Sequence, residues 1–381
     1  MIKHYLIVVL FLILELFYFL PGAFSQNDAL SNKIVSYVDD CNNLDMDACN
    51  NLGLSYANGN GVDQNFKKAV EYFDLACDGE YIIACYNLAT SYSNGHGVDQ
   101  NFKKAVELFR VACDGEYMQA CNSLAIRYFE GNGVKQNYRK ATKLFAKACD
   151  GDNYLACHSL GLGYDNGKGV KVNKVKAAEL FTKSCQAENY DSCFNLALKY
   201  EDGEGVKVDK AKATELYTRS CQGKDYGACY NLALKYENGS GTEQNLEKAI
   251  QLYKLVCENG NAKGCVNLGN KFGQGFGVKQ DYVKANELFE KACVEGVLQG
   301  CFNLGVSHGR GFGVKQDYVK ANQLYSQACK GGIAHACLNL GSNFANGDGF
   351  KKDKVTAKKL FKAACGLGSQ TGCEYFERLN N

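Results

Sequence analysis

Twenty cysteines are the residues of this 381-residue chain best placed to do chemistry. They fall at Cys41 and Cys49, Cys77 and Cys85, Cys113 and Cys121, Cys149 and Cys157, Cys185 and Cys193, Cys221 and Cys229, Cys257 and Cys265, Cys293 and Cys301, Cys329 and Cys337, and Cys365 and Cys373. Partners stand eight residues apart, and each pair follows the last by 36 residues through ten copies without an insertion. Zinc sites use Cys-x2-4-Cys spacing or nearby histidines, and Cys-x7-Cys supplies neither. A nucleophilic thiolate needs an activating base, yet no Cys-His or Ser-His-Asp trio stands out from the repeat background. Disulfide chemistry remains, with no catalytic residue and no metal or cofactor assigned.

Binding chemistry has its own candidates at fixed phases of the period. One row reads Asn51, Asn87, Asn195, Asn231, Asn267, Asn303 and Asn339, broken by Ser123 and Ser159. A carboxamide offers two donors and an acceptor, so a ladder of them can grip the backbone of an extended peptide without reading its sequence. Four residues further on stand Arg127, Lys199, Lys235 and Lys271, a basic stripe suited to an anionic ligand. Tyr86, Phe194, Tyr230 and Phe302 are candidate anchors beside the row. The competing readings are asparagines that bridge adjacent helices, basic side chains that are simply solvated, and aromatics that pack between repeats. His308 takes a place held by Tyr56, Tyr92, Tyr128, Tyr164, Tyr200 and Tyr236, and reads as a ring filling an aromatic slot.

These side chains are positioned by a fixed period of 36, the mark of a stacked array whose units bury their apolar faces only against neighbours. Paired glycines such as Gly59 and Gly61, or Gly95 and Gly97, end one helix in every full repeat. Four residues later a capping side chain starts the next: Asn65, Asn101, Asn137, Asn173, Asp209, Asn245, Asp281, Asp317 and Asp353. In the second repeat the spacing predicts helix A over Ile82 to Asn94 and helix B over Phe102 to Cys113. Ala84, Leu88 and Tyr92 line one face of A, and Ala105, Leu108, Phe109 and Ala112 one face of B. The alanine row Ala69 through Ala357 and the aromatic row Phe73 through Phe361 read as core.

Two disulfide connectivities suit such hairpins. Joining Cys49 to Cys77 would leave Cys41 and Cys373 over; joining each close pair leaves none. The second predicts ten bonds, each tying the end of a helix B to the next helix A across a turn such as Asp78-Gly79-Glu80. The expected organisation is a signal peptide at 1–25, an N-terminal capping helix at 26–41, nine repeats over 42–365 and a C-terminal capping helix at 366–381. The signal is read from the basic start Met1-Ile2-Lys3-His4, the apolar run Leu6 to Leu20 and the small-x-small site Ala23-Phe24-Ser25. That run of 15 residues is shorter than the ~20 of a spanning helix, so the expectation is cleavage and a secreted or periplasmic chain, not embedded in a membrane. Forty-three basic against 41 acidic residues make a net charge of +2, which gives no field that argues for nucleic acid.

The succession of Ala84-Cys85-Tyr86-Asn87-Leu88, Gly95-His96-Gly97-Val98, Lys104-Ala105-Val106-Glu107-Leu108-Phe109 and Ala112-Cys113-Asp114-Gly115 resembles the Sel-one-like repeat, a relative of the tetratricopeptide repeat. With its Cys-x7-Cys elaboration the chain is similar to the secreted, cysteine-rich, Hcp-type beta-lactamase-like bacterial family. That resemblance implies a right-handed α/α superhelix with a concave ligand-facing surface, and an affinity for beta-lactams with their hydrolysis; cell-wall peptide is a further candidate ligand. The residues do not carry the hydrolase: Ser-x-x-Lys, Ser-Asp-Asn and Lys-Thr-Gly are all missing after the signal, and His96, His158, His308 and His335 are scattered. The expected fold is therefore all-α, a disulfide-stapled solenoid of nine helix pairs with capping half-repeats. Its expected function is to bind protein or peptide partners along the helix A face, with a beta-lactam-binding protein and a structural spacer as alternatives.

Overall fold

The computed structural model describes residues 33–379; the expected signal peptide lies outside them. Among the described residues there are 20 α-helices and no strand. Two compact units meet in sequence between Ala187 and Glu188. The first holds α1 (33–42) and four pairs: α2 (Met46–Asn58) with α3 (Phe66–Asp78), α4 (Ile82–Asn94) with α5 (Phe102–Asp114), α6 (Met118–Glu130) with α7 (Tyr138–Asp150), and α8 (Tyr154–Asn166) with α9 (Lys174–Gln186). The second holds five pairs: α10 (Tyr190–Asp202) with α11 (Lys210–Gln222), α12 (Tyr226–Asn238) with α13 (Leu246–Glu258), α14 (Ala262–Gln274) with α15 (Tyr282–Val294), α16 (Leu298–Arg310) with α17 (Tyr318–Lys330), and α18 (Ala334–Asn346) with α19 (Lys354–Gly366). The shorter α20 (Gln370–Arg378) follows.

Local chemistry sets these boundaries. Each helix B opens on the capping side chain read from the sequence; Asn101, for example, accepts from the Lys104 amide at 3.0 Å. Each helix A ends on a left-handed glycine, as at Gly95, where the amides of Gly95 and His96 both return to the Ser91 carbonyl. The second glycine has a different task. A Cβ added at Gly97 would overlap the backbone of Phe66 and Lys67, so this loop rests directly on the start of the preceding helix B. The alanine and aromatic rows are core: Ala105 and Ala141 are fully buried, as are Phe181, Tyr217 and Tyr253.

The close pairs of cysteines are bonded. Nine disulfides join residues eight apart, from Cys41–Cys49 and Cys77–Cys85 to Cys365–Cys373, and Cys185 and Cys193 are disulfide-bonded as well. The ring turn in front of each helix A needs one residue in the left-handed region. Gly260, Gly296, Gly332 and Gly368 take that place in four turns, but Leu44, Glu80, Glu116, Asp152, Glu188 and Lys224 take it in the others, at φ 61–67°. A side chain there costs roughly 1–2 kcal/mol, part of which glycine returns as backbone entropy. Glu116→Gly should therefore raise stability by about 0.5–1 kcal/mol in urea unfolding, and no gain would show that the ring relieves the strain.

Candidate functional site

The basic stripe is not a row of exposed cations, as the sequence suggested. Lys199, Lys235 and Lys271 are only 6–7% exposed, and each meets a carboxylate. Lys199 pairs with Glu204 at 2.6 Å, Lys235 with Glu201 and Lys271 with Glu237. The other oxygen of Glu201 accepts the Tyr217 hydroxyl at 2.7 Å, and Glu237 accepts that of Tyr253. Two successive Tyr–Glu–Lys chains thus run from a helix B, through its own helix A, to the next helix A. Burial raises the Glu201 carboxyl, but the hydrogen bonds from Lys235 and Tyr217 outweigh it and hold its pKa below the ordinary value. Burial and the neighbouring carboxylates push the Tyr217 and Tyr253 hydroxyls far upward. Arg127, in the first compact unit, pairs with Glu130 at 3.6 Å and lies 5.5 Å from the Phe102 ring centroid.

The asparagines are half-buried, and most are engaged within the chain. Asn87 donates to Asn50 at 2.8 Å, Asn267 to the Tyr230 hydroxyl at 3.2 Å and Asn303 to Asn270 at 2.9 Å, each reaching the preceding repeat. Asn231, Asn267 and Asn339 lie beside the buried hydroxyls of Tyr217, Tyr253 and Tyr325 on the preceding helix B and offset part of the rise in their pKa. Asn51 and Asn195 bond one turn back on their own helix, to Asp47 and to the Asp191 carbonyl. The candidate anchors pack inward: Tyr86 on Phe109, Phe194 on Tyr217, Tyr230 on Tyr253 and Phe302 on Tyr325, with ring centroids 5.7–6.0 Å apart.

His308 fills its aromatic slot at 7% exposure, and its Nδ1 has no hydrogen-bond partner among the described residues. In the corresponding slots of other repeats a lysine from the start of helix B lies over the ring, as Lys104 does over Tyr92 at 4.3 Å. Burial, then the Lys320 cation, lowers the His308 pKa. Because the unfolded imidazole binds its proton more readily, the stability it contributes is complete above its ordinary value of 6.5 and is lost as pH falls towards the folded value. His308→Tyr should remove that acid-side loss and add about 0.5–2 kcal/mol through a Lys320–ring contact. Melting curves between pH 5 and 8 check this, and parallel curves for the two proteins would refute it.

A feature that the rows do not reveal lies in the first compact unit. Ile126, Phe129 and Glu130 on α6, Phe145 on α7, and Ser159, Leu162, Gly163 and Asn166 on α8, with Lys168 beyond, line a groove of about 360 Å³. Four of these residues break the repeat. Phe129 stands where other repeats have Ala, Ser, Gly, Asp or Glu, and Gly163 is the one glycine at its phase. Ser159 is one of two breaks in the asparagine row, and Lys168 is the one lysine at its phase. Singular residues at a fixed phase, here Phe129, Gly163 and Lys168, are the signal that the sequence holds; reading the asparagine row alone picks out only Ser159, as a gap. Among the described residues no group of three or more His, Cys, Asp or Glu side chains is placed to hold a metal.

A stack of 36-residue helix pairs with this capping and core defines an α/α repeat protein. The Sel1 repeat model matches residues 47–81, 82–117, 119–153, 155–189, 191–225, 227–261, 262–296, 298–333 and 334–369, and the chain belongs to the Sel1 repeat family. It is a disulfide-bonded, cysteine-rich scaffold of a module that typically mediates protein–protein interaction. Among solved structures it is similar to c5321, a protective antigen of uropathogenic Escherichia coli with an SLR fold, at 25% identity over 91% of this chain and 90% of that one, with a TM-score of 0.57. A Sel1 repeat protein of Oxalobacter formigenes shares the fold at 23% identity, over 81% and 89% of the two chains, with a TM-score of 0.64. Cysteine-rich protein B of Helicobacter pylori is 36% identical over 34% of this chain and 94% of its own, with a TM-score of 0.29. No curated protein matches the chain.

Proposed function

We propose that this protein is an exported scaffold that holds a protein or extended-peptide partner against the helix A faces of its repeats. The observation that carries this reading is the unbroken run of Asn195, Asn231, Asn267, Asn303 and Asn339 through the second compact unit, one half-buried carboxamide in each helix A. A carboxamide has more hydrogen-bonding capacity than one intramolecular bond consumes, so a side chain such as Asn195 keeps groups for a partner's backbone. The lysines contribute differently from a cationic stripe: Lys235 and Lys271, paired with Glu201 and Glu237, tie successive A helices together, while Lys199 pairs with Glu204 just past the end of its own helix. Export is supported by the disulfides, which persist in oxidising compartments, and no helix among the described residues is long and apolar enough to cross a membrane.

The test is capture of envelope and secreted proteins by the oxidised chain, beside Asn195→Arg and the triple variant Asn195→Ala, Asn231→Ala, Asn267→Ala, with melting curves for each. A partner retained by the parent and lost from folded variants supports the reading. Capture unchanged by every variant overturns the asparagine face, and turnover of a penicillin or cephalosporin would replace the scaffold with an enzyme.

A further inference from the structure

Four residues that depart from the repeat line one groove in the first compact unit, and each departure changes what the groove accepts. At Ser159 and Gly163 small residues replace larger ones, which opens space between α6 and α8. Phe129 adds a ring to the lining, which Ile126, Leu162 and the buried Phe145 complete. The opening is therefore apolar and partly aromatic, the surroundings in which a ring gains both from burial and from edge or offset contacts. Such a pocket in a peptide-binding surface is where one anchor side chain concentrates the binding energy.

The rim supplies the sign of the neighbouring charge. Glu130 is already matched by Arg127 at 3.6 Å and by the Asn132 amide at 2.8 Å. Lys168 is exposed, and its ammonium lies 5.3 Å from the Phe129 ring centroid with no carboxylate among the described residues in ion-pair contact. The uncompensated charge at the rim is thus positive, beside the ring wall.

We infer that this groove seats an aromatic side chain of the peptide partner, with an adjacent acidic side chain of that peptide on Lys168. This rests on the scaffold reading and names the chemistry of its ligand. The ring enters beside Phe129, Leu162 and Phe145, and the carboxylate draws the ammonium from the Phe129 face. Glycine at 163 is the vacancy that admits the ring. A Cβ built there meets only the Lys168 carbonyl at 3.5 Å and Thr142 Oγ1 at 4.0 Å, so a larger side chain can fill the groove without disturbing the backbone.

A random peptide library displayed on phage, selected on the full oxidised chain, tests this. Enriched sequences should carry Phe, Tyr or Trp beside Asp or Glu. Their synthetic forms should bind Gly163→Leu about tenfold more weakly, and Lys168→Glu should reverse the preference to a basic neighbour. Equal melting temperatures for the parent and both variants exclude misfolding as the cause. Enriched peptides that bind Gly163→Leu as well as the parent would overturn this seat and leave the scaffold reading standing. Enrichment that depends on a free C-terminal carboxylate would overturn the acidic side chain as the group on Lys168. No enrichment of any peptide would overturn both readings.

Discussion

Reduction of the disulfides is expected to unfold the protein at a temperature where the oxidised chain is fully helical. Each ring closed by residues eight apart, such as Cys113–Cys121, removes about 2.5 kcal/mol of denatured-state entropy in the chain-entropy treatment. Even the nine such bonds between residues eight apart outweigh the roughly 5–15 kcal/mol by which ordinary domains are stable, and Cys185 and Cys193 are bonded besides. Replacing one pair, Cys113→Ala with Cys121→Ala, should cost about 2.5 kcal/mol in guanidinium unfolding. Both cysteines are buried in the core beside Ala112 and Ala120, so reduction must await local opening and should be slow without denaturant. Circular dichroism in excess phosphine reads the outcome. A reduced chain with an unchanged melting curve would show that the repeats hold one another by packing alone.

The second large effect belongs to the buried ion pairs. Glu237→Ala leaves Lys271, 6% exposed, with its charge buried and unpaired, which should cost about 3–5 kcal/mol. Glu237→Leu combined with Lys271→Met should recover most of that loss, because an apolar pair of similar volume avoids the desolvation that the ions endure. The Tyr253 hydroxyl loses its acceptor in either variant, but Asn267 remains beside it. The neighbouring chain adds a pH signature. Glu201 has a depressed carboxyl pKa, so its contribution is present above the ordinary value of 4.5 and is lost as pH falls through the folded value. Glu201→Gln should flatten the acid limb of the stability profile below pH 4.5. If the single and double variants at Glu237 and Lys271 destabilise equally, the lysine is not desolvated in the way its burial implies.

Local signals are legible in the residues themselves. Helix A of the second repeat spans Ile82–Asn94 as its glycine and apolar spacing indicate, and helix B runs one residue beyond Cys113, to Asp114. Capping side chains, helix-ending glycines and close cysteine pairs act within a few residues of themselves, so their types announce their roles. Asn231 and Lys235 illustrate the limit. Both stand on the predicted helix and at the predicted phase, yet their partners Tyr217 and Glu201 lie 14 and 34 residues earlier, on different helices. A carboxylate at 201 and a tyrosine at 217 are visible in the sequence, but nothing local joins them.

The sequence by itself determined the period, the helix pairs, their caps, the bonded cysteines and the alanine–aromatic core, because each rests on chain-local geometry repeated nine times. Only the tertiary structure decided which polar side chains remain to meet a partner. Stacking brings residues 34–37 positions apart into contact, and there Lys235 and Lys271 found carboxylates while Asn87 found Asn50. The same stacking opens space wherever a repeat puts a small residue against a neighbour that expects a large one. Gly163 beside Phe129 makes that groove, and its physical origin is the mismatch between one repeat and the next.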